Sequence, residues 1–583
     1  MRDVNFLTRA RGPAGRPQGA PSSLHLQVDP AKRERAPATA TLAMTPPATT
    51  TTPLATDDVE EPTTDGSSIA AEWRAGKAPE VYDDDRADAR LPLVKEVDRK
   101  ARTGKALFKK VLHPATLESF EQTHYQRGAF VVKRRASPDF WTNYFGETAM
   151  RDLVSQGLRF GESITLSKIV KGTKGKGKER VRVNLNSNLD GSTDVAKPED
   201  VWHRFRKDGC SMRILHPQRW NPKLLRMIVA LEEYFECLVG CNLYYTPPGA
   251  QGFAAHYDDV DVLVLQVKGK KTWSLFPSRS EEEILPLFSS RDFREDALGR
   301  PAEVKIAAGD FLYLPRGAIH RARTHATTES LHLTISANHL HTWANLLELA
   351  LPEALREAAQ HCVALRRTPP RGYFHYTGAC NADVTGEKRQ DFVKTAEALA
   401  AVVLDFVTSA GEDDQETPID HACDLMSARF QEGRMFPLFA GGSGAGAGGK
   451  KRKEAPSLRE DALVQVRKAN CCRLVIMEDR AVVFHSFNNT ITDHASGCSR
   501  EENWSNDPKK DARLEFEIQD AGLLEEALGC VKPRRVGDFP AGFREEGVRA
   551  EVLTAMVDAG ILEVVGDGQE QVKKSKKIKS ASE

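Results

Sequence analysis

Between residues 88 and 341 the chain is cut into short apolar runs by turn residues, a texture that limits it to architectures made of many short strands. The clearest runs are Leu243–Thr246, Val260–Val267, Thr272–Phe276, Phe311–Leu314 and Leu331–Ser336. Pro247-Pro248-Gly249 and Gly309-Asp310 supply turns between them, and strands joined in this way close into a β-barrel or pair as a sandwich. Side chains alternate along a strand. Leu331, Leu333 and Ile335 therefore share one face of their run, and His332, Thr334 and Ser336 share the other.

At 583 residues the chain exceeds what one hydrophobic core can organise, so several units are expected. Residues 1–87 are rich in Pro, Ala and Thr and poor in large apolar side chains, so this segment is expected to be disordered. Its early basic residues, Arg2, Arg9, Arg11, Arg16, Lys32, Arg33 and Arg35, would also suit an organelle transit peptide. Residues 88–341 form the strand-rich domain, in which Lys171–Lys178 reads as a solvated loop. From 342 to 440 the apolar period lengthens to that of helices, with Trp343, Leu346, Leu347 and Ala350, then Phe392, Ala396, Leu399, Val403 and Phe406. Residues 441–455 are a Gly-rich and basic linker. A third unit spans 456–568, with a strand-like stretch Leu474–Phe487 and a helix–turn–helix-like pattern ending at Val552–Leu562, followed by a basic tail over 569–583.

Lys+Arg 82 offsets Asp+Glu 82, so no global field draws the chain to nucleic acid or to an anionic membrane. Basic charge is local: Lys450–Lys453 and Lys573–Lys579 suit a nuclear import receptor. Residues 513–570 carry 6 Lys and Arg against 13 Asp and Glu, which repels phosphate and argues against direct nucleic-acid binding by the third unit. No apolar run approaches the ~20 residues that cross a bilayer, and a soluble protein with no membrane partner is expected. The 10 cysteines show no repeated CxxC spacing. Cys237 and Cys241 read as two semi-buried thiols rather than half of a zinc site.

His256-Tyr257-Asp258 is the single His-x-Asp in the sequence, and in an extended segment its two polar groups point to one face. Gly309–His320 then reads as turn, apolar strand, Pro/Arg/Gly turn and a histidine entering the next strand. Two imidazoles and a carboxylate leave three positions of an octahedron open, which suits Fe(II) with a bidentate cosubstrate and O2 better than it suits zinc. His325, His332, His339 and His341 compete with His320 for the third ligand, although His332, inside its strand, reads as a cavity wall.

The segments Asn242–Phe253, His256–Asp259 and Val264–Trp273 together resemble the JmjC ribosomal oxygenases, a family of histidyl-hydroxylases and lysine demethylases of the nucleolus. The resemblance is strong over about residues 120–345 and weaker over 346–566. It implies an α+β, multidomain protein: a double-stranded β-helix (JmjC/cupin) barrel over 88–341, a helical dimerisation unit over 342–440 and a winged-helix unit over 456–568. By position, His256, Asp258 and His320 match the family's iron ligands. Lys271 matches the lysine that pairs with the distal carboxylate of 2-oxoglutarate, and Asn242 and Ser336 match positions near that cosubstrate. Arg213 and Tyr244 match positions that line the peptide side. The implied activity is Fe(II), 2-oxoglutarate and O2-dependent hydroxylation of a histidine in a large-subunit ribosomal protein, by a homodimer in the nucleus, at the nucleolus. Histone-tail lysine demethylation and a catalytically idle scaffold are the alternatives, and the complete ligand set argues against the latter.

Overall fold

The computed structural model describes residues 73–94, 103–171, 180–383, 385–409, 416–435, 458–477, 479–492, 494, 513–540 and 547–567. Residues 1–72, the Lys-rich stretch after Lys171, the 441–455 linker and the 569–583 tail, each assigned a character from sequence, lie outside these described residues.

Among the described residues, one sheet is built from β1 (Glu80–Asp83), β2 (Phe130–Lys133), β3 (Ile164–Lys171), β4 (Arg180–Asn184), β5 (Ser211–Leu215), β6 (Gly240–Thr246), β7 (Asp261–Phe276), β8 (Ala302–Ala307), β9 (Phe311–Leu314), β10 (Ile319–Thr324) and β11 (Ser330–Ala337). The order is β1-β2-β9-β7-β11-β6-β5-β3-β4, with β8 and β10 also on β7. The runs Val260–Val267 and Thr272–Phe276, read from sequence as two strands, are one strand of 16 residues. The first part of β7 lies between β9 and β11, and its second part lies between β8 and β10. Gly269 sits where the strand passes from one set of partners to the other. Its φ is 71°, and a Cβ there would stand 1.7 Å from the Glu329 carbonyl oxygen, so the crossing is open only to glycine. One long strand shared in this way folds the sheet onto itself as a barrel, the architecture expected of a double-stranded β-helix.

Alternation along β7 divides the apolar side chains between two cores. Leu263, Leu265 and Val267 join Leu331, Leu333 and Ile335 in a large cluster against the helices α1 (Thr103–Leu112), α2 (Glu147–Val154), α3 (Pro198–Arg206) and α4 (Pro222–Phe235). Val262, Val264, Trp273 and Leu275 face a second cluster with Leu312, Leu314 and Ala318. Helix α4 starts where Pro222 presets the first turn and the Asn221 side chain accepts from the Lys223 and Leu224 amides; it stops at Glu236, a left-handed residue at φ 52°.

The expected disordered segment 1–87 ends too late. Trp73 and Ala75 are buried in the second cluster, and β1 pairs in parallel with β2. The acidic run Asp83-Asp84-Asp85 hid this edge strand, because one of its carboxylates is neutralised by tertiary contacts. Burial alone would raise the Asp84 carboxyl, but the hydrogen bonds it accepts from Arg86 and the charge of Arg134 outweigh that and hold it down at about 2.

Beyond the barrel, α5 (Trp343–His361), α6 (Glu387–Asp405) and α7 (Pro418–Gly433) form the helical unit. The Thr342 and Thr417 side chains cap α5 and α7. Its shared core is small, centred on Ala350, Ala354, Val407 and Ala422, and α6 buries no residue fully. No described helix is long and apolar enough to cross a membrane. The last unit holds β12 (Ala462–Val466), β13 (Cys472–Met477), β14 (Arg480–His485), β15 (Arg513–Glu517), α8 (Ala521–Leu528), β16 (Arg534–Arg535), α9 (Val548–Asp558) and β17 (Leu562–Asp567). Two three-stranded sheets result, β16-β12-β17 and β13-β14-β15. In the stretch read as helix–turn–helix-like, α8 and α9 share a core through Leu523, Leu524, Leu553 and Met556, and β17 follows from Leu562. The boundary between the helical and third units is also less clean than the sequence suggested, since Ala428 of α7 packs with Val475, Val482 and Phe484.

Candidate metal centre

The sequence places His256 and Asp258 in an extended segment, and the structure gives them something shorter. His256 forms an isolated antiparallel bridge with His320 at the start of β10. The His256 amide donates to the His320 carbonyl at 3.1 Å and the His320 amide returns the bond at 2.8 Å. The Gly317 amide donates to the Asp258 carbonyl at 3.0 Å, so the turn before β10 is tied to the same segment. Two stretches more than sixty residues apart are thereby fixed backbone to backbone, and their side chains follow.

His256, Asp258 and His320 are the cluster of potential metal-ligating groups among the described residues, with ligand atoms all within 4.8 Å of one another. His256 Nε2 is 3.7 Å from Asp258 Oδ1, and His320 Nε2 is 3.8 Å from Asp258 Oδ2. Each histidine places Nδ1 2.9 Å from a backbone oxygen two residues earlier, Ala254 for His256 and Ala318 for His320. A carbonyl accepts only from a protonated Nδ1, so Nε2 is the ring atom each histidine has available to ligate, and both Nε2 atoms face Asp258. Burial, with His256 alongside, pulls the His320 imidazole down to about 4, against the opposing pull of Asp258. His320 is therefore neutral near pH 7, the form that ligates a metal. The donor set fits a divalent first-row ion with open positions. Of the competing histidines, His325 is exposed on Thr327 and His339 lies 3.8 Å from Asp259; neither belongs to the cluster.

Lys271 lies deeper, on the second part of β7. It is 6% exposed, and the polar contact of its Nζ is Thr246 Oγ1 at 3.3 Å. Burial alone brings its ammonium down to about 7. A buried lysine facing a hydroxyl and no carboxylate is costly to keep charged. A small carboxylate delivered from solvent would repay that cost, so the pocket fits an acidic cosubstrate. Asn242 and Tyr244 share one face of β6, as their spacing predicts, and the Asn242 Oδ1 is buried without a partner. Ser336 is buried on β11 opposite Gly240 of β6 and Val262 of β7.

The wall between metal cluster and lysine is aromatic. Tyr244 stacks on His332 at 5.1 Å and 8°. Trp273 stands 5.6 Å from His320 and 5.7 Å from His332. Burial and then Lys271 lower His332 well below the ordinary histidine range, so it is a neutral wall residue. Arg213, on β5 opposite Tyr244, lies over the Phe253 ring at 5.6 Å. Sequence reasoning left the facing of Phe253 and Trp273 open and passed over Thr246 and Arg182. Alternation along β6 and β7 would have placed Thr246 on the Tyr244 face and Trp273 on the Lys271 face, whereas nothing local marks Arg182. Cys237 and Cys241 are both fully buried rather than semi-buried, and Cys237 faces Asn338.

The JmjC domain family matches residues 213–346. The chain is 29% identical over 459 residues to the "Bifunctional lysine-specific demethylase and histidyl-hydroxylase NO66" of Dictyostelium discoideum, covering 78% of this protein and 81% of that one. It is 34% identical over 338 residues to the protein of the same name from Culex quinquefasciatus, covering 58% of this protein and 48% of that one. To the "Ribosomal oxygenase 1" of Gallus gallus it is 33% identical over 339 residues, covering 58% of this protein and 52% of the relative. The match thus spans most of the Dictyostelium protein and about half the length of the other two.

Proposed function

This chain belongs to the JmjC ribosomal oxygenases, and from that premise we propose that it is an Fe(II)- and 2-oxoglutarate-dependent protein oxygenase that hydroxylates a histidine of a large-subunit ribosomal protein. The observation that carries the reading is the presence, in one barrel, of the His256, Asp258 and His320 cluster together with a buried lysine whose polar contact is a hydroxyl. His256 Nε2, the Asp258 carboxylate and His320 Nε2 would hold the iron, and Lys271 with Thr246 would hold the distal carboxylate of 2-oxoglutarate. Bound there, the metal and cosubstrate supply O2-dependent insertion of one oxygen atom into a C–H bond of the target residue, with succinate and CO2 as the other products.

The protein's own residues then have distinct tasks. The Ala254 and Ala318 carbonyls hold both ligating imidazoles in one tautomer. Trp273 and the neutral His332 close the side of the pocket and exclude water from it. Asn242 and Ser336 face the cosubstrate, while Arg213 and Tyr244 line the peptide side. Lysine demethylation begins with the same oxygen insertion on an N-methyl carbon, and the names of the Dictyostelium and Culex relatives cover both reactions. The polar wall of Arg213, Tyr244, Asn242 and His332 favours a neutral imidazole and its peptide backbone over a methylated ammonium.

Two further features belong to this proposal. The basic clusters Lys450–Lys453 and Lys573–Lys579 support delivery to the nucleus and nucleolus. The third unit, read as winged-helix, has a net acidic sequence that favours a protein-facing role over nucleic-acid binding. The deciding experiment incubates the full-length protein with Fe(II), ascorbate and 2-oxoglutarate and adds either a histidine-containing ribosomal peptide or a methylated histone-tail peptide. Succinate should form together with the mass of one oxygen atom on the ribosomal histidine. Faster loss of a methyl group from the histone peptide would overturn the histidyl assignment.

A further inference from the structure

Histidine and methyl-lysine substrates share the same metal chemistry, so the choice between them falls to the side chains at the mouth of the barrel. Phe253 stands there, three residues before His256. Its ring is 6.4 Å from the His256 ring and edge-on to Tyr244 at 5.5 Å. An aromatic ring beside a metal centre is the usual receptor for a methylated ammonium, because its face carries the negative part of the ring quadrupole. Here cations are already over that ring. The Arg213 Cζ lies 5.6 Å from the Phe253 centroid and the Arg182 Cζ lies 5.3 Å from it. Arg182 comes from β4, the outermost strand at this end of the sheet. Its acidic neighbour, Asp292, is 3.7 Å from the guanidinium and half exposed to solvent, which screens the pair.

We propose that Arg182, with Arg213 and Phe253, forms a cation-excluding rim that determines substrate class: a neutral imidazole passes it, and the methylammonium of a modified lysine is turned away. The inference rests on the oxygenase reading given above. The aromatic face that a methyl-lysine would need is already engaged by two guanidiniums, of which the Asp292 carboxylate lies against one only, at 3.7 Å. Like-charge juxtaposition of this kind is a common way to reject a competitor while leaving the preferred ligand untouched. Of the three residues, Arg182 is the one that local sequence could not mark. It enters the site only because β3 and β4 pair along Ser167–Lys171.

The test uses the full-length protein loaded with Mn(II) and 2-oxoglutarate under argon, where peptides bind without turnover. Two fluorescent peptides, alike except for a central histidine or Nε-trimethyl-lysine, are titrated at pH 8, and affinity is read by anisotropy. The histidine peptide should bind about ten-fold more tightly, and Arg182→Glu should shrink that ratio toward one by strengthening the trimethyl-lysine peptide. Arg182→Gln, which keeps a polar side chain of similar reach, should give an intermediate ratio and serves if the charge reversal fails to fold. Equal affinities in the unmodified protein overturn the proposal. So do failure of both peptides to bind and an unchanged ratio in the folded variants. Absence of hydroxylation with Fe(II) and air, alongside an intact affinity ratio, would instead sink the oxygenase reading and leave the rim standing.

Discussion

At the scale of single residues, the cluster of His256, Asp258 and His320 offers three potential ligands among the described residues. His256→Ala and His320→Ala are each expected to abolish peptide-coupled succinate formation while circular dichroism stays that of the folded protein, since each removes one of the three proposed ligands and little packing. Activity that survives in His320→Ala would pass the role to a neighbouring histidine. Lys271→Ala should raise the 2-oxoglutarate requirement far more than the iron requirement, because losing one partner of a buried charged pair costs on the order of 3–5 kcal/mol. The lysine also gives cosubstrate binding a pH dependence with a definite sign. Burial lowers its ammonium to about 7, so the charged form that attracts a carboxylate is present below that value and declines above it. Affinity for 2-oxoglutarate, measured by calorimetry from pH 6.5 to 9, should fall as pH rises, and Lys271→Ala should flatten the dependence. An unchanged slope in the variant would show that another group sets it. The three residues of the cluster were legible in sequence because they lie in two short motifs with fixed spacing. Thr246 was passed over although alternation along β6 puts it on the Tyr244 face, whereas Arg182 was not legible, since it meets Phe253 only through packing between segments far apart in sequence.

At the scale of elements, β7 decides the architecture, and Gly269 is its weakest point. Gly269→Ala would put a methyl group on a left-handed backbone and against the Glu329 carbonyl, so the barrel must shift or the strand must break there. A loss of about 2 kcal/mol or more in unfolding free energy is expected from urea titration. A variant as stable as the natural protein would mean that the crossing relaxes freely. Apolar periodicity revealed the individual strands and the helices of 342–440, because those patterns are local. It split β7 in two because Lys268, Gly269, Lys270 and Lys271 read as a turn when nothing shows that Lys271 is buried. It missed β1 because the charges around Asp84 find their partners only in the folded state.

At the scale of the molecule, helix α4 is apolar on two sides for two different reasons. One side enters the main core, and Leu225 and Val229 on the other pack with Met435 and Ile491. Glu232 and Glu233, near its end, are buried against groups from the far part of the sequence: His494 Nε2 is 2.9 Å from Glu232, and Lys468 Nζ is 2.7 Å from Glu233. Lys468→Ala would leave the Glu233 carboxylate buried without its cation, at a cost of roughly 3–5 kcal/mol. The barrel and the third unit should melt in a single calorimetric transition in the natural protein, and the variant should melt at lower temperature. Two separate transitions in the natural protein would show that the joint does not couple them. The helical unit leaves Trp343 77% and Phe374 75% exposed, with Leu355, Val363 and Leu404 also uncovered. Apolar surface of this kind is expected to be covered by a second copy of the protein. Sedimentation at micromolar concentration should give a homodimer, and a monomer would remove that role.

The joint on α4 also has a bearing on how the protein is made. Translation delivers the barrel helix first and the partners of its glutamates, Lys468 and His494, only after more than two hundred further residues, so for a time the two glutamates face water. At about 5–20 residues per second that interval lasts roughly ten to fifty seconds. During it the nascent barrel carries an unfinished surface of paired carboxylates beside exposed Leu225 and Val229, a state that a chaperone can recognise and that the completed protein never shows again.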